Sequence, residues 1–426
     1  MKRDILVQRW KWLVVGAGLW WGAGFNLFFY HIAGFCLWMA TLHDRSRKGQ
    51  GLEVPASARM LGIIALIYAA SIGVHIESAD TSRIIAAVYN LSFWVLGAWL
   101  VMFLASRFRS EMIPDVMDAF YYLSFFIAAM AALILVFWIK GVHDLTIPTP
   151  MAGISRFLGD TNLVKDSLWI KPLMWDWFAS VSRPRFNVFS PYPTAAGGCI
   201  MIVLMMIATR AVYLKRTGDP LFWAVFGGCM AGFVMTLSRI SIMGFVFALF
   251  VVFLMGKKNF PIWLMMFLMV LMVAYPWLEN FSEWVMGLRS GSTSTRFSLY
   301  RYSLEQLHDA DWILGMGIKP RENIFAIPVG SHSTYISMLF KTGVAGVSAV
   351  LVFQAVVWMR WFGLRDRVRK QRHILLFWRC LGLVIISMSV WMATEDIDAP
   401  QFLAFLYFSL IGCLEGLHKE LAHAPA

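Results

Sequence analysis

Two long stretches with at most one charged residue constrain this chain most. Residues 12–42 contain no Asp, Glu, Lys or Arg, and residues 221–256 contain only one charge, Arg239. A membrane-spanning helix needs about 20 apolar residues, so 31 and 36 residues are each too long for one span. We therefore predict a pair of close-packed helices in each stretch, the first pair broken near Gly24 and Asn26, the second turning at Arg239.

The remaining apolar runs extend this pattern along the chain. They cover residues 58–75, 84–105, 117–140, 194–213, 260–277, 334–359, 375–393 and 400–417. Only 15% of the residues are charged, against about 25% in soluble domains. The sequence therefore predicts an all-α polytopic membrane protein with about twelve transmembrane helices.

Basic residues assign the two sides of this bundle. With the N-terminus inside, the inner segments carry 22 Lys and Arg residues and the outer segments carry 13. Residues 360–374 alone contribute six of the inner residues. By the positive-inside rule both termini are predicted to be cytoplasmic, and the same rule accounts for the net charge of +12 without a nucleic acid partner.

Two long polar segments, residues 141–193 and 278–333, fall on the outer side in this topology. Each contains aromatic residues that suit amphipathic helices lying on a membrane surface. We predict one transmembrane domain, residues 1–426, with helical periplasmic loops.

Several outer polar residues are unusual for plain loops. Arg185 leads into a span, Arg239 lies in a Ser-Arg-Ile-Ser turn, Arg289 and Arg296 flank a Ser/Thr/Gly stretch, and His332 precedes a span. The arginine fork matches phosphate oxygens, and a histidine can take a proton from a hydroxyl. These residues indicate a site for a lipid-linked phosphate or pyrophosphate on the outer face, although arginines at helix ends also serve as interfacial anchors.

Other kinds of site are not indicated by the sequence. No His/Cys/Asp/Glu spacing typical of a metal site and no glycine-rich nucleotide loop is present, so we predict no metal and no cofactor. The five cysteines lie in apolar runs and suggest small buried hydrophobes. The acidic group Glu395, Asp396 and Asp398 reads as a solvated turn, with contact to an acceptor or a bound cation as the alternative.

The strongest motif begins at His332. It is followed by Ser333 and Tyr335, apolar residues at helical spacing, and a Gly-x-x-Gly pair at Gly343 and Gly346. This resembles a motif of the O-antigen ligase and polymerase family.

Three further segments resemble the same family and follow one another along the chain as they do in the family. They are residues 185–191, Ser238-Arg239, and the Arg296-x-x-x-Tyr300 pattern followed by Leu314-Gly-Met-Gly317. Two departures stand out: Tyr300 replaces the usual Trp, and Tyr192 follows Pro191 where the family has Asn.

The resemblance implies a C-type glycosyltransferase fold and transfer of a glycan from undecaprenyl pyrophosphate in a bacterial inner membrane. His332 would be the catalytic base, and Arg239, Arg296, Arg185 and Arg289 would bind the pyrophosphate. The implied partners are an O-antigen donor, a lipid A–core acceptor and membrane lipids. Alternatives are an O-antigen polymerase of the same family and, from another class, a lipid-linked oligosaccharide flippase or other transporter.

Overall fold

The structure is a computed structural model whose helices follow the apolar runs of the sequence. It describes residues 4–49, 51, 53–155, 164, 167–175, 185–255, 290–320, 323–324, 327–330, 332–399 and 401–423. The helices are α1 (Ile5–Val15), α2 (Ala17–Ala23), α3 (Phe29–Arg47), α4 (Ala56–His75), α5 (Thr81–Arg107), α6 (Ile113–Ile139), α7 (Pro193–Tyr213), α8 (Pro220–Met235), α9 (Arg239–Met255), α10 (Ser290–Glu305), α11 (Asp311–Leu314), α12 (Thr334–Gly363), α13 (Arg365–Val368), α14 (Arg372–Met392) and α15 (Gln401–His423).

Seven helical segments in this part of the chain are long and apolar enough to cross a membrane. They are Ala56–His75, Thr81–Arg107, Ser110–Ile139, Pro193–Tyr213, Thr334–Val368, Arg372–Met392 and Phe402–Ala422, and Pro220–Met235 and Arg239–Met255 are shorter apolar helices. An all-α multi-pass membrane protein is thus confirmed. The number of twelve spans stays a prediction, since residues 260–277 lie outside the described residues.

The two long uncharged stretches divide where the sequence predicted. Gly24 ends α2 in the left-handed region, with φ of 86°, and a 3₁₀ turn at Phe25–Leu27 precedes α3. A Cβ on Gly24 would lie 2.0 Å from Thr149 Oγ1, so glycine also permits close contact with the 141–155 segment. In the second stretch α8 ends at Met235 and α9 begins at Arg239, which confirms the turn.

One apolar core runs through the bundle from Trp10 to Leu421. Helix α15 lies at the centre of this core, since 89% of an 18-residue apolar stretch of the helix is buried. It packs most extensively against α5. The Trp10 indole of α1 donates a hydrogen bond of 2.9 Å to Ser409 Oγ of α15. The assignment of residues 1–426 to one domain stays a prediction, because part of the chain is not described.

The segments predicted to be cytoplasmic meet at one end of the bundle, which we call the Glu415 end. Arg107 forms ion pairs with Asp4 and Asp44, joining the N-terminus, α5 and α3. Glu415 accepts a hydrogen bond of 3.1 Å from the Ser57 backbone amide. These contacts give the bundle two distinct ends, while the membrane side that each end faces stays a prediction.

The predicted loop at 141–193 is not helical throughout, which corrects the expectation of helical loops. It contains β1 (Leu145–Pro148), β2 (Trp169–Met174) and β3 (Arg185–Phe186), an antiparallel sheet in that order. Leu173 and Phe186 pair in register and are buried. The sheet is stabilised where β3 packs on α8: a Cβ on Gly232 would lie 3.1 Å from the Phe186 ring.

The second predicted loop, residues 278–333, combines both kinds of structure in its described part. Helix α10 and the short α11 are followed by a two-residue antiparallel pair, β4 (Asn323–Ile324) and β5 (Ile327–Pro328). The helical part agrees with the expectation, and the strands do not.

Candidate functional site

His332 lies directly before α12, in a strained backbone conformation. Its φ is 66°, a left-handed value that costs an L residue about 1–2 kcal/mol. The next residue, Ser333, caps the helix by accepting a hydrogen bond from the Ile336 amide at 3.4 Å. Strained residues concentrate at functional sites, where the surrounding contacts maintain them. The contacts around His332 therefore matter for its position.

The principal contact is the buried carboxylate of Glu395, which faces two predicted site residues at once. Glu395 Oε1 lies 2.7 Å from Arg296 Nη2, and Glu395 Oε2 lies 3.9 Å from His332 Nδ1. The carboxylate side chain is 2% exposed, whereas Arg296 and His332 are 25% and 31% exposed. The buried carboxylate thus contacts Arg296 and His332 from the protein interior, and both residues remain accessible to a ligand.

The backbone around Glu395 is fixed by the first residue of α12. The Thr334 amide and hydroxyl donate to the Glu395 carbonyl oxygen at 3.0 and 2.8 Å. The Ile397 amide donates to Thr334 Oγ1 at 3.0 Å. Thr334 follows His332 by two residues, so these bonds hold the loop after α14 against the start of α12.

Tyr300 provides a further tie between α10 and His332. Its hydroxyl donates a hydrogen bond to the His332 carbonyl oxygen. Arg296 and Tyr300 are four residues apart and therefore share one face of α10. The Arg-x-x-x-Tyr pattern thus places its arginine on Glu395 and its tyrosine on the His332 backbone.

The charges of this cluster support one another. Burial raises the pKa of Glu395, but the positive charge of Arg296 and the neighbouring His332 lower it by more, so the pKa of Glu395 lies below its ordinary value. The same charge of Glu395 raises the pKa of Arg296. Burial raises the pKa of Tyr300 to about 12. At neutral pH the cluster therefore holds an ion pair beside a histidine and a neutral phenol.

A second cluster of four charges, of which Lys341, Asp396 and Asp398 are buried, adjoins the first. Lys341 Nζ lies 2.6 Å from Asp398 Oδ2 and 3.7 Å from Asp396 Oδ2, and Lys319 Nζ lies 3.8 Å from Asp396 Oδ2. The interpretation of residues 395–398 as a solvated turn is therefore wrong, since Glu395, Asp396 and Asp398 are all buried. Lys341 within an apolar span was the sequence signal that these carboxylates have partners.

The ionisation of the second cluster reflects burial and pairing. Burial and the charge of Lys341 lower the pKa of Lys319 to about 8, and burial and the charge of Asp398 raise the pKa of Asp396 to about 6. Burial raises the pKa of Asp398, but Lys341 lowers it more, so it lies below its ordinary value. Among the described residues, no group of three His, Cys, Asp or Glu side chains is placed to hold a metal ion.

The Leu314-Gly-Met-Gly317 turn seats the second polar segment on α12. The Met316 and Gly317 amides donate to the carbonyl oxygens of Phe340 and Lys341 at 2.8 and 2.9 Å. A Cβ on Gly315 would lie 2.3 Å from the Thr342 nitrogen, so only glycine permits this approach. Helix α12 breaks its helical geometry at Gly343, against the same turn.

The elements that carry Arg239 and Arg185 lie at the same end of the bundle as Glu395. The turn that carries Arg239 packs on the start of α7, where a Cβ on Gly197 would lie 2.8 Å from the Ser238 Cβ. The Trp391 indole donates to the Thr194 carbonyl oxygen at 3.2 Å, joining the end of α14 to the start of α7. Arg239 therefore begins α9 close to the element that leads into Glu395.

Arg185 lies in β3, eight residues before α7. Tyr192 ends this segment, and burial raises its pKa, with the charges of Glu395 and Asp396 raising it further. The segment thus borders the carboxylate loop. The structure joins Arg296 and His332 directly around Glu395, and joins Arg185 and Arg239 to the same end through their backbone. Arg289 lies outside the described residues.

Comparison with known proteins identifies a related segment. The family model described as O-antigen ligase matches residues 221–351, which include Arg239, Arg289, Arg296 and His332. No curated protein sequence matches the chain. The matched segment ends before Glu395, so the carboxylate that joins Arg296 and His332 lies beyond it.

Proposed function

Because residues 221–351 match the family model described as O-antigen ligase, we propose that the chain joins O-antigen glycan to lipid A–core. The donor would be undecaprenyl-pyrophosphate-linked glycan, and the acceptor would be a sugar hydroxyl of lipid A–core. The observation that carries the proposal is the buried Glu395, which holds Arg296 at 2.7 Å and faces His332 at 3.9 Å.

His332 acts in this proposal as the general base. A carboxylate on the Nδ1 side of an imidazole favours the tautomer with its proton on Nδ1, which leaves Nε2 able to accept a proton. Nε2 takes the proton of the acceptor hydroxyl as its oxygen attacks the anomeric carbon. The bond from that carbon to the pyrophosphate oxygen breaks, and undecaprenyl pyrophosphate leaves with the electron pair. A single displacement inverts the anomeric centre.

The arginines stabilise the leaving pyrophosphate. Fixed positive groups aimed at developing negative charge are a large source of catalysis. Part of the Arg296 guanidinium is committed to Glu395 and to the Thr394 carbonyl oxygen, at 2.7 and 3.4 Å. We assign pyrophosphate binding to Arg239 and the remaining face of Arg296, with Arg185 and Arg289 as further contacts.

A reconstituted assay tests this function. Detergent-solubilised protein is incubated with undecaprenyl-pyrophosphate glycan and lipid A–core in the presence of EDTA and without nucleotide. We expect ligation of the two. Ligation that occurs without EDTA and is lost when EDTA is added would contradict the metal-independent mechanism.

The variant that tests the proposed base is His332→Asn, because asparagine tolerates the left-handed conformation but is not a base. We expect ligation to fall by a factor on the order of 10²–10⁴ with folding retained. Full activity of that variant would exclude His332 as the base.

The same assay distinguishes the alternatives. Growth of the glycan chain without transfer to lipid A–core would identify an O-antigen polymerase. Movement of the intact donor across a vesicle membrane, without any new glycosidic bond, would identify a transporter.

A further inference from the structure

A small basic cavity lies at the Glu415 end, on the opposite side of the bundle from His332. Its volume is about 90 Å³, and Arg365, Arg369 and Arg379 line it together. Arg365 and Arg369 belong to the chain around α13, while Arg379 lies within α14. Three arginines from two elements thus converge on one space, outside the site described above.

Arg379 is unusual because of its depth in the helix. It follows the start of α14 by seven residues, about 10 Å along the axis, and its side chain is exposed. A charge at this depth in a membrane is costly unless it reaches a counter-charge. In the part of the chain that the structure describes, neither Arg365 nor Arg379 forms an ion pair or hydrogen bond. Arg369 pairs with Asp366 at 3.4 Å, with both side chains exposed.

The remaining wall of the cavity is apolar and well fixed. Trp378 stacks on Trp361 with ring centroids 5.0 Å apart, and its indole donates to the Trp361 carbonyl oxygen at 2.7 Å. Val252 and Leu375 line the cavity beside it, and the neighbouring Phe253 is exposed. The cavity therefore borders an apolar surface that can receive an acyl chain.

We propose that this cavity binds the phosphate of an anionic glycerophospholipid. Arginine forks match phosphate oxygens, and basic pockets between transmembrane helices on the cytoplasmic side bind such headgroups. The phosphate lies between Arg365, Arg369 and Arg379, and the glycerol and acyl chains extend along the exposed side of α9. The 90 Å³ cavity admits the headgroup phosphate, while the tails lie outside it.

Native mass spectrometry tests the site with defined lipids. Purified full-length protein is mixed with phosphatidylglycerol or with phosphatidylcholine of the same acyl chains. We expect retention of phosphatidylglycerol, and about tenfold weaker retention by the double variant Arg365→Gln, Arg379→Gln. Lys370→Gln is the matched control, because it removes a charge from the same loop without lining the cavity. Size-exclusion profiles and thermal unfolding establish that each variant is folded.

Three results would overturn the proposal. Equal retention of the two lipids by the wild type would show that the headgroup charge is not recognised. Unchanged phosphatidylglycerol binding by the folded double variant would place the lipid elsewhere. Displacement of the lipid by millimolar inorganic phosphate would identify a site for free phosphate instead.

Discussion

Glu395 shows how one buried residue organises a site. Its two oxygens face Arg296 and His332, and its carbonyl oxygen accepts both donors of Thr334. Removing one partner of a buried ion pair is costly because the other charge remains unpaired. The side chain therefore contributes both to stability and to the orientation of the proposed base.

The first prediction concerns Glu395→Gln. Because the pKa of Glu395 in the folded protein lies below its ordinary value of 4.5, its stabilising effect is present above pH 4.5 and is lost as the pH falls below it. We expect the variant to melt at lower temperature than the wild type at pH 7, with the difference shrinking below pH 4.5. Ligation should fall by a factor on the order of 10²–10⁴, since the histidine loses its carboxylate.

The control for this variant is Glu305→Gln. Glu305 forms an exposed pair with Arg301 at 2.8 Å, and such pairs contribute about 0–1 kcal/mol. It should change neither melting nor ligation. Equal melting of Glu395→Gln and wild type at pH 7 would refute the stabilising role of the buried pair.

The second prediction concerns Arg239→Lys. A lysine keeps the charge but cannot form the bidentate fork, so we expect ligation to fall about 10- to 100-fold. Arg301→Lys, at an exposed position of α10, should leave ligation unchanged. Wild-type activity of Arg239→Lys would assign that residue to interfacial anchoring.

At the scale of elements, the Leu314-Gly-Met-Gly317 turn determines how the second polar segment sits on the helices. Gly317 has a φ of 61°, and its amide bonds to Lys341 while a Cβ there would lie 2.4 Å from the Ser71 carbonyl oxygen of α4. The Arg83 guanidinium donates to the Lys319 and Pro320 carbonyl oxygens at 2.8 and 2.7 Å. The turn thus connects α4, α5 and α12.

The third prediction is that Gly317→Ala destabilises the protein. The left-handed conformation alone costs alanine about 1–2 kcal/mol, and the contact with Ser71 adds to it. Gly62→Ala on α4 is the matched control, since a Cβ there meets nothing within 4 Å and alanine favours the helix. Thermal unfolding in detergent measures both. Unchanged melting of Gly317→Ala would show that the turn adjusts without cost.

The sequence anticipated these elements unequally. The Ser-Arg turn and the break at Gly24 were confirmed, because charge and glycine interrupt an apolar run at identifiable positions. The β1–β3 sheet was missed, because two-, four- and six-residue strands carry weak local patterns and form only when a packed partner fixes their register.

For the whole molecule, the two ends of the bundle agree with the segments that loop charge separated. Arg107, Glu415 and their partners gather at one end, and Glu395, Arg296 and His332 at the other. The positive-inside rule assigns the first end to the cytoplasm. That assignment is a prediction about the molecule as a whole.

The fourth prediction tests this orientation by cysteine labelling. Glu305→Cys and Lys370→Cys place thiols at exposed positions of opposite ends, in a background where the exposed Cys36 is replaced by alanine. A membrane-impermeant maleimide should label Glu305→Cys in intact spheroplasts and Lys370→Cys only after permeabilisation. The reverse pattern would invert the topology.

The sequence by itself determined the class of protein and most helix boundaries, and it indicated His332 and Arg296 as candidate site residues, because hydropathy, charge and short motifs are local properties. Tertiary structure decided that Glu395 joins those two residues and that Asp396 and Asp398 pair with Lys319 and Lys341. Lys341 and Asp398 are 57 residues apart in the sequence, and Arg296 and Glu395 are 99 residues apart. Burial and charge pairing at such separations depend on how helices pack, and no local pattern specifies that.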